Sequence, residues 1–385
     1  MKVLLSLTYF TPNKSGLTVF AERQAAALAA QGHDVTVLTS HHLPDLPSQE
    51  WSDGVHIIRL PVALRLSKGV LMPSLLWKAW HLVRQADVIN LHMPQLEGAY
   101  LALLARLLGK PLIATHHSDL AMPSGWLNKL AGAFARLSNR FIASLADRVT
   151  HNTLDFAQHS PFLQRYLHKL AVIPPICLVE PITDQYLAQF QEKHKIQPGQ
   201  IVIGIAARLA SEKGFEFLAQ AFSEVLQTHP TARVLVTGEY QHVIGEEAYR
   251  DQILCMVEPF GDRWQFLGVD SQADRAAFFR TIHVHVLPSI NATETFGMVQ
   301  VEALTCGTPL IASDLPGMRQ PVMQSGFGML VPPSDSHALA AAILHVLQKY
   351  PNKVDATAYT SQFTPEKVAL AYENLYKDLI HARQA

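Results

Sequence analysis

Glu294 and Glu302 stand eight residues apart in Asn291-Ala-Thr-Glu-Thr-Phe-Gly-Met-Val-Gln-Val-Glu-Ala-Leu304, just after the apolar run Val284–Leu287. The order predicts a strand, a polar loop and a helix. With the helix beginning near Phe296, its first backbone N–H groups are unpaired and the positive end of its dipole faces the loop, which makes an anion site. Glu294 then lies in the loop and Glu302 about two turns further in. Carboxylates accept hydrogen bonds from sugar hydroxyls, so this pair suits a hexose and a ribose. A capping acid plus a surface helix residue is the plainer explanation of the same spacing. Two more loops share the anion-binding chemistry. Arg208-Leu-Ala-Ser-Glu-Lys213-Gly214 follows the apolar run Ile201–Ala206, and its two cations suit a diphosphate as well as they suit open solvent. Pro12-Asn13-Lys14-Ser15-Gly16 follows the first apolar run, and Gly16 lets a phosphate or sugar approach the backbone. It is not the dinucleotide fingerprint, which requires G-x-G-x-x-G.

These loops need a scaffold that ends strands and starts helices side by side. Val3–Tyr9, Asp34–Thr39, Val55–Leu60, Asp87–Leu91 and Leu112–Thr115 read as strands, with a helix over Val19–Gln31. The pattern restarts with strands Ile201–Ala206, Arg233–Thr237, Trp264–Leu267, Val284–Leu287, Leu310–Ala312 and Gly328–Val331, and a helix over Gly214–Leu226. Little period-two alternation runs through them, as expected of strands covered on both faces of a parallel sheet. The fold class is therefore α/β, with two Rossmann-like doubly wound domains facing across a cleft outside the carboxyl ends of the strands. The boundaries fall at 1–177 and 178–365. Val172–Ile176 reads as a hinge strand, and Glu180–Gln200 as a linker with a short helix. A helix over about 366–385, opened by Thr364 as N-cap with Pro365 at its first position, packs back on the first domain.

Composition limits the partners. At 385 residues, 49% hydrophobic and 16% charged, the chain exceeds one ordinary core. No run of roughly 18 apolar residues is present. The opening Met-Lys-Val-Leu-Leu-Ser-Leu reads as a buried strand, not a signal peptide, so the protein is expected in the cytoplasm. Cys177, Cys255 and Cys306 form no disulfide framework, and the doublets His41-His42 and His116-His117 lack a second pair at ligand spacing, so no metal site is expected. The net charge of −1 hides an asymmetry: residues 1–178 hold 16 Lys/Arg against 10 Asp/Glu, the remainder 15 against 22. A basic first half attracts anions. Val62–Gln85 carries Arg65, Lys68, Lys78 and Arg84 and no acid, among Leu71, Leu75, Leu76, Trp77 and Trp80. Trp126–Arg148 sets Lys129, Arg136 and Arg140 beside Leu130, Phe134, Leu137 and Phe141. Both segments suit an anionic membrane surface, placing the protein peripherally on the inner face of the membrane. An ordinary amphipathic helix with its apolar side in the core is the alternative.

The whole chain resembles glycosyltransferase family 4, with its GT-B arrangement. Glu294-Thr-Phe-Gly-Met-Val-Gln-Val-Glu302 is similar to that family's E-x7-E element. Val286-Leu-Pro-Ser289 precedes it, and Cys306-Gly-Thr-Pro309 and Ser313-Asp-Leu-Pro-Gly317 follow in the family's order. Arg208 and Lys213 match its arginine and lysine, Gly16 its first-loop glycine, and His117 its mid-domain histidine. The resemblance implies a retaining, metal-independent hexosyltransferase using a UDP- or GDP-sugar and no cofactor. It also implies donor contacts from Gly16, Thr295, Phe296, Gly297 and Met298 as well as Arg208, Lys213, Glu294 and Glu302. Arg208 and Lys213 would stabilise the departing diphosphate, Glu302 would hold the ribose, Glu294 the sugar near C3 and C4, and His117 would line the sugar site. The absence of an Asp-x-Asp triplet agrees with metal independence. The acceptor would be a lipid or glycan of cell-envelope glycoconjugate synthesis, with no nucleic acid involved. A nucleotide-sugar epimerase of the same architecture and a non-catalytic sugar-nucleotide binder are the alternatives. Three departures stand out: a single glycine in the first loop, Pro174-Pro175-Ile176-Cys177 where relatives continue Asn-Gly, and Thr237-Gly238-Glu239-Tyr240 in place of Gly-x-Gly.

Overall fold

The computed structural model describes the chain except residues 14, 67, 68, 120–125, 244, 270, 292 and 385, and the side chains of 66, 126–131 and 384. Lys14, Lys68 and the side chains of Trp126, Lys129 and Leu130 therefore lie outside the described residues. Two compact units result, Met1–Ile176 with Thr364–Ala385, and Cys177–Phe363.

The first unit holds β1 (Lys2–Ser6), β2 (Asp34–His41), β3 (Gln49–Ser52), β4 (Val55–Pro61), β5 (Leu64–Leu66), β6 (Gly69–Leu71), β7 (Val88–Met93), β8 (Leu112–His116), β9 (Arg148–His151) and β10 (Leu170–Val172). Among the described residues, eight of them form one sheet in the order β10-β9-β8-β7-β1-β2-β4-β3, and β5 and β6 pair as a hairpin. Only β3 joins that sheet antiparallel. Every residue of β7 and β8 is buried, as expected of parallel strands covered on both faces. The pleat sends Leu4 into one apolar cluster and Val3 and Leu5 into another, on opposite faces of the sheet. Phe20, Ala21, Ala25 and Leu28 of the helix Gly16–Ala30 cover the second face. Val368, Tyr372 and Tyr376 of the last helix, Pro365–Gln384, join them. Tyr372 and Tyr376 are almost wholly enclosed, each aromatic ring contributing roughly 1.5–3 kcal/mol of burial. Asn90 Nδ2 donates to the Tyr376 hydroxyl at 3.2 Å. The first face carries the helices Leu75–Gln85, Gly98–Leu107 and Trp126–Leu145.

The second unit holds β11 (Val202–Ala206), β12 (Arg233–Thr237), β13 (Trp264–Gly268), β14 (Val284–Leu287), β15 (Leu310–Ser313) and β16 (Gly328–Val331). They form a parallel sheet in the order β13-β12-β11-β14-β15-β16. The parallel strands of each sheet thus reverse their order once, the first sheet between β1 and β7 and the second between β11 and β14. Ligands of such sheets bind at that reversal, beyond the carboxyl ends of the strands.

Some expectations need correction. The strand before the crossing into the second unit ends at Val172, and Ile173–Ile176 is irregular because Pro174 and Pro175 have no N–H to give a ladder. The helix after Glu294 begins at Met298 and not near Phe296, with Gly297 as its cap at φ 74°. The strands at 49–52, 64–66, 69–71 and 148–151 escaped the sequence reading, being short and without a long apolar run.

Candidate active site

In the second unit, two loops meet at the reversal point. The loop after β11 runs from Arg208 through the short 3-10 turn Ser211–Lys213 to Gly214, and the helix Phe215–Thr228 follows. The loop after β14 runs from Pro288 to Gly297. Because β11 and β14 are hydrogen-bonded neighbours, their loops emerge side by side. The Ile290 N–H donates to the Glu212 carbonyl at 3.0 Å and stitches them together. Gly214 sits at φ 68°, and a Cβ there would lie 2.2 Å from the Pro288 carbonyl oxygen, so only glycine permits this approach.

The stitching joins the charged side chains. Lys213 Nζ donates to Glu294 Oε2 at 2.5 Å, and both side chains are largely enclosed, at 13% and 20% exposure. Arg208 pairs with Glu212 at 2.7 Å while remaining open to solvent. Burial works to raise the Glu212 carboxyl, but its contacts with Arg208 and with its own backbone N–H hold it below the usual carboxylate range. Glu302 lies on the helix Met298–Thr305 and is 1% exposed, with Arg275 Nη1 3.6 Å from its Oε2. It is therefore neither a surface helix residue nor a cap. Thr295 and Phe296 are buried, and Gln300 Nε2 anchors the turn by donating to the Phe296 carbonyl at 3.0 Å and the Met318 carbonyl at 2.9 Å. A cation pair, a cross-loop carboxylate and the start of a helix can together take a diphosphate and a polyhydroxylated group.

In the first unit, Gly16 is the first residue of its helix, and Ser15 caps it through a capping box with Thr18. A Cβ on Gly16 would meet nothing within 4 Å, so the space beside it is open. His117 directly follows β8. Its Nε2 lies 2.9 Å from His92 Nδ1 at the end of β7, the two rings stack at 5.2 Å, and Phe20 packs edge-on against His117 at 4.8 Å. His116 faces elsewhere, toward Asp119 at 3.3 Å and the Phe162 ring at 5.1 Å. Burial drives His92 down to about 3 and His117 well below its ordinary value, so both rings are neutral.

Comparison with known proteins shows the family and the fold. The family described as glycosyl transferases group 1 matches residues 188–363, and the glycosyl transferase 4-like domain matches residues 15–175. The chain belongs to glycosyltransferase family 4. It is 25% identical over 354 residues to D-inositol 3-phosphate glycosyltransferase of Pseudarthrobacter chlorophenolicus, covering 84% of this chain and 79% of that protein. It is also 25% identical over 353 residues to phosphatidyl-myo-inositol mannosyltransferase of Mycolicibacterium smegmatis, covering 90% and 85%. Among solved structures, sucrose-phosphate synthase of Thermosynechococcus elongatus superposes with a TM-score of 0.78 at 23% identity over 99% of both chains. Anabaena HepE in complex with UDP and glucose gives 0.74 at 19% identity, over 98% of this chain and 99% of that one. These likenesses establish the GT-B fold.

In this glycosyltransferase the structure gives each residue of Gly238-Glu239-Tyr240 a local task. Gly238 stands at φ 131°, and a Cβ would lie 2.4 Å from the Ala207 carbonyl oxygen. Glu239 Oε1 accepts from the N–H groups of Gln241 and His242, and Tyr240 stacks on Phe266 at 4.9 Å. Sequence reasoning missed Arg275, His92 and Glu212. Arg275 sits in the helix Gln272–Thr281, where no motif marks it. The expected loop residues Glu294, Lys213 and Arg208 gather at one point of the second unit, while Gly16 and His117 belong to the first.

Proposed function

We propose that this glycosyltransferase moves a hexose from a UDP- or GDP-sugar to a hydroxyl acceptor, with retention and without a metal ion. The observation that carries the reading is the Lys213–Glu294 contact beside Arg208 at the β11/β14 reversal. Arg208 and Lys213 stabilise the negative charge that grows on the departing diphosphate. Glu302 holds the ribose, and Glu294, steadied by Lys213, holds the sugar hydroxyls near C3 and C4. Thr295, Phe296, Gly297 and Met298 line the donor from the helix start, Gly16 leaves room for it, and His117 lines the sugar. The leaving phosphate oxygen takes the acceptor proton as the new bond forms on the same face, so no opposing nucleophile is needed. HepE is described with UDP-glucose bound, which favours a uridine donor. The test is a panel of UDP- and GDP-sugars incubated with EDTA. Slow release of a nucleoside diphosphate, and a product anomer matching the donor's once an acceptor is found, are expected. Inversion of the anomer, or no binding of any nucleotide, would overturn it.

We further propose a lipid-linked acceptor met at an anionic membrane surface. Among the described residues no helix is long and apolar enough to cross a membrane. The helices Leu75–Gln85, Gly98–Leu107 and Trp126–Leu145 contain no acidic residue at all. They leave Leu76, Trp77, Trp80, Leu107, Phe134 and Leu137 exposed, the two tryptophans at 66% and 42%. The apolar side is thus not all in the core, contrary to an ordinary amphipathic helix. Exposed Lys78, Arg84, Arg136 and Arg140 share these helices. Aromatic and basic side chains together suit the headgroup region. The phosphatidyl-myo-inositol mannosyltransferase relative, whose name specifies a lipid, supports this class. Co-sedimentation with phosphatidylserine vesicles, weakening as salt rises, is expected; equal binding to neutral vesicles would count against the proposal.

A further inference from the structure

The pairing of two neutral histidines leaves a question of direction. Between His92 Nδ1 and His117 Nε2, 2.9 Å apart, lies one hydrogen, and either ring can supply it. The surroundings decide. His92 is fully enclosed and its other nitrogen, Nε2, has no partner. If His117 donated, the His92 hydrogen would have to sit on that Nε2 and become a buried N–H with nothing to accept it. If His92 donates from Nδ1, its Nε2 keeps only an unused lone pair. Orphaned donors are rarer in proteins than under-used acceptors, so the second arrangement holds. Charge offers no third way, because burial keeps both rings neutral. His117 is only partly enclosed, and no described residue accepts from its Nδ1. Phe20, edge-on to both rings at 6.1 Å and 4.8 Å, limits their rotation.

We propose that His92 is a positioning residue that fixes His117 in the tautomer with hydrogen on Nδ1, so that His117 meets its ligand only as a hydrogen-bond donor. The inference rests on the placement of His117 at the sugar site. It deepens that placement: the lone pair of His117 is already engaged by His92, and His117 cannot take the acceptor's proton without breaking that bond. An oxygen that accepts, such as a sugar hydroxyl or ether oxygen, is the partner it selects. This agrees with the acceptor proton going to the leaving phosphate.

Long-range proton–nitrogen spectra of the full chain, labelled with 15N-histidine and assigned by single substitutions, read the tautomer directly. The wild type is expected to show His117 protonated on Nδ1 and bare on Nε2. His92→Leu removes the donor and should move the hydrogen or mix the two forms. His92→Asn, whose side-chain amide N–H stands near the place of Nδ1, should restore it. With a working donor, His92→Leu should lower kcat about tenfold with KM little changed, and His92→Asn should recover most of it. Finding His117 protonated on Nε2 in the wild type, or an unchanged tautomer in a folded His92→Leu, would overturn the proposal. The spectra need no substrate, so a failure of the transferase reading would show in the donor panel and leave this result standing.

Discussion

Lys213→Ala should lower kcat/KM for sugar transfer by at least about a hundredfold while leaving the thermal midpoint almost unchanged. Lys213 ends a 3-10 turn and is joined to the rest of the unit mainly through Glu294. Its removal takes no packing from the apolar core. On the proposed mechanism it takes away one of two cations beside the departing diphosphate, and fixed charges of this kind are worth about 100- to 1,000-fold in rate. It also frees Glu294, whose carboxylate would then be held less firmly against the sugar. Glu302→Ala should lose as much through the donor ribose. That variant also leaves Arg275 without its buried carboxylate, so its melting curve must be recorded beside its rate. Near-normal kinetics in both variants would refute the site.

The second large effect is on stability in acid. His92 and His151 in the first unit and His285 in the second are pushed down to about 3 by burial. An unfolded histidine binds a proton near pH 6.5, so below that value the unfolded chain takes up protons that the folded one refuses. The folded pKa lies below the unfolded one. Stability is therefore full above about pH 6.5 and falls steadily toward pH 3. At pH 5 each such histidine costs about 2 kcal/mol, so the first unit, which holds two of them, should lose about 4 kcal/mol. Asp119 modifies the first unit further. Burial works to raise its carboxyl, but hydrogen bonds from His116 and Ser160 hold it below the ordinary value, so its share is lost only in stronger acid. Thermal unfolding followed by circular dichroism should show the midpoint dropping between pH 7 and pH 5. A flat profile over that interval would mean these rings are less enclosed than described.

Much of the scaffold was legible in the sequence because parallel strands buried on two faces are short, mostly apolar runs with little period-two alternation. Arg233–Thr237, Val284–Leu287 and Gly328–Val331 emerge with the bounds expected of them. Strands such as Gln49–Ser52, polar at three of four positions and lying at the sheet edge, carry no such signal. Cap geometry was also hidden. The helix after Glu294 waits until Met298 because Gly297 takes a left-handed turn, where a Cβ would lie 2.8 Å from Leu287 Cδ2. In the site, spacing suggested that Glu294 and Glu302 act as a pair, but not that they differ. One is tied across a loop to Lys213, and the other is sunk beside Arg275. Such partners come from segments distant in sequence, and no local pattern announces them. His92 is of this kind, since only the pairing of β7 with β8 brings it to His117.

The last helix has a consequence for how the protein is made. Tyr372 and Tyr376 complete the apolar layer over β1 and β7, and Arg383 pairs with Asp147 at 2.8 Å. A ribosome emits the chain from its amino end, and domains ordinarily fold in that order. Here the amino-terminal sheet emerges early but lacks its covering helix until the entire second unit has been synthesised. The second unit, which is continuous in sequence, can close first. The half of the molecule that is translated first is thus the half that is finished last.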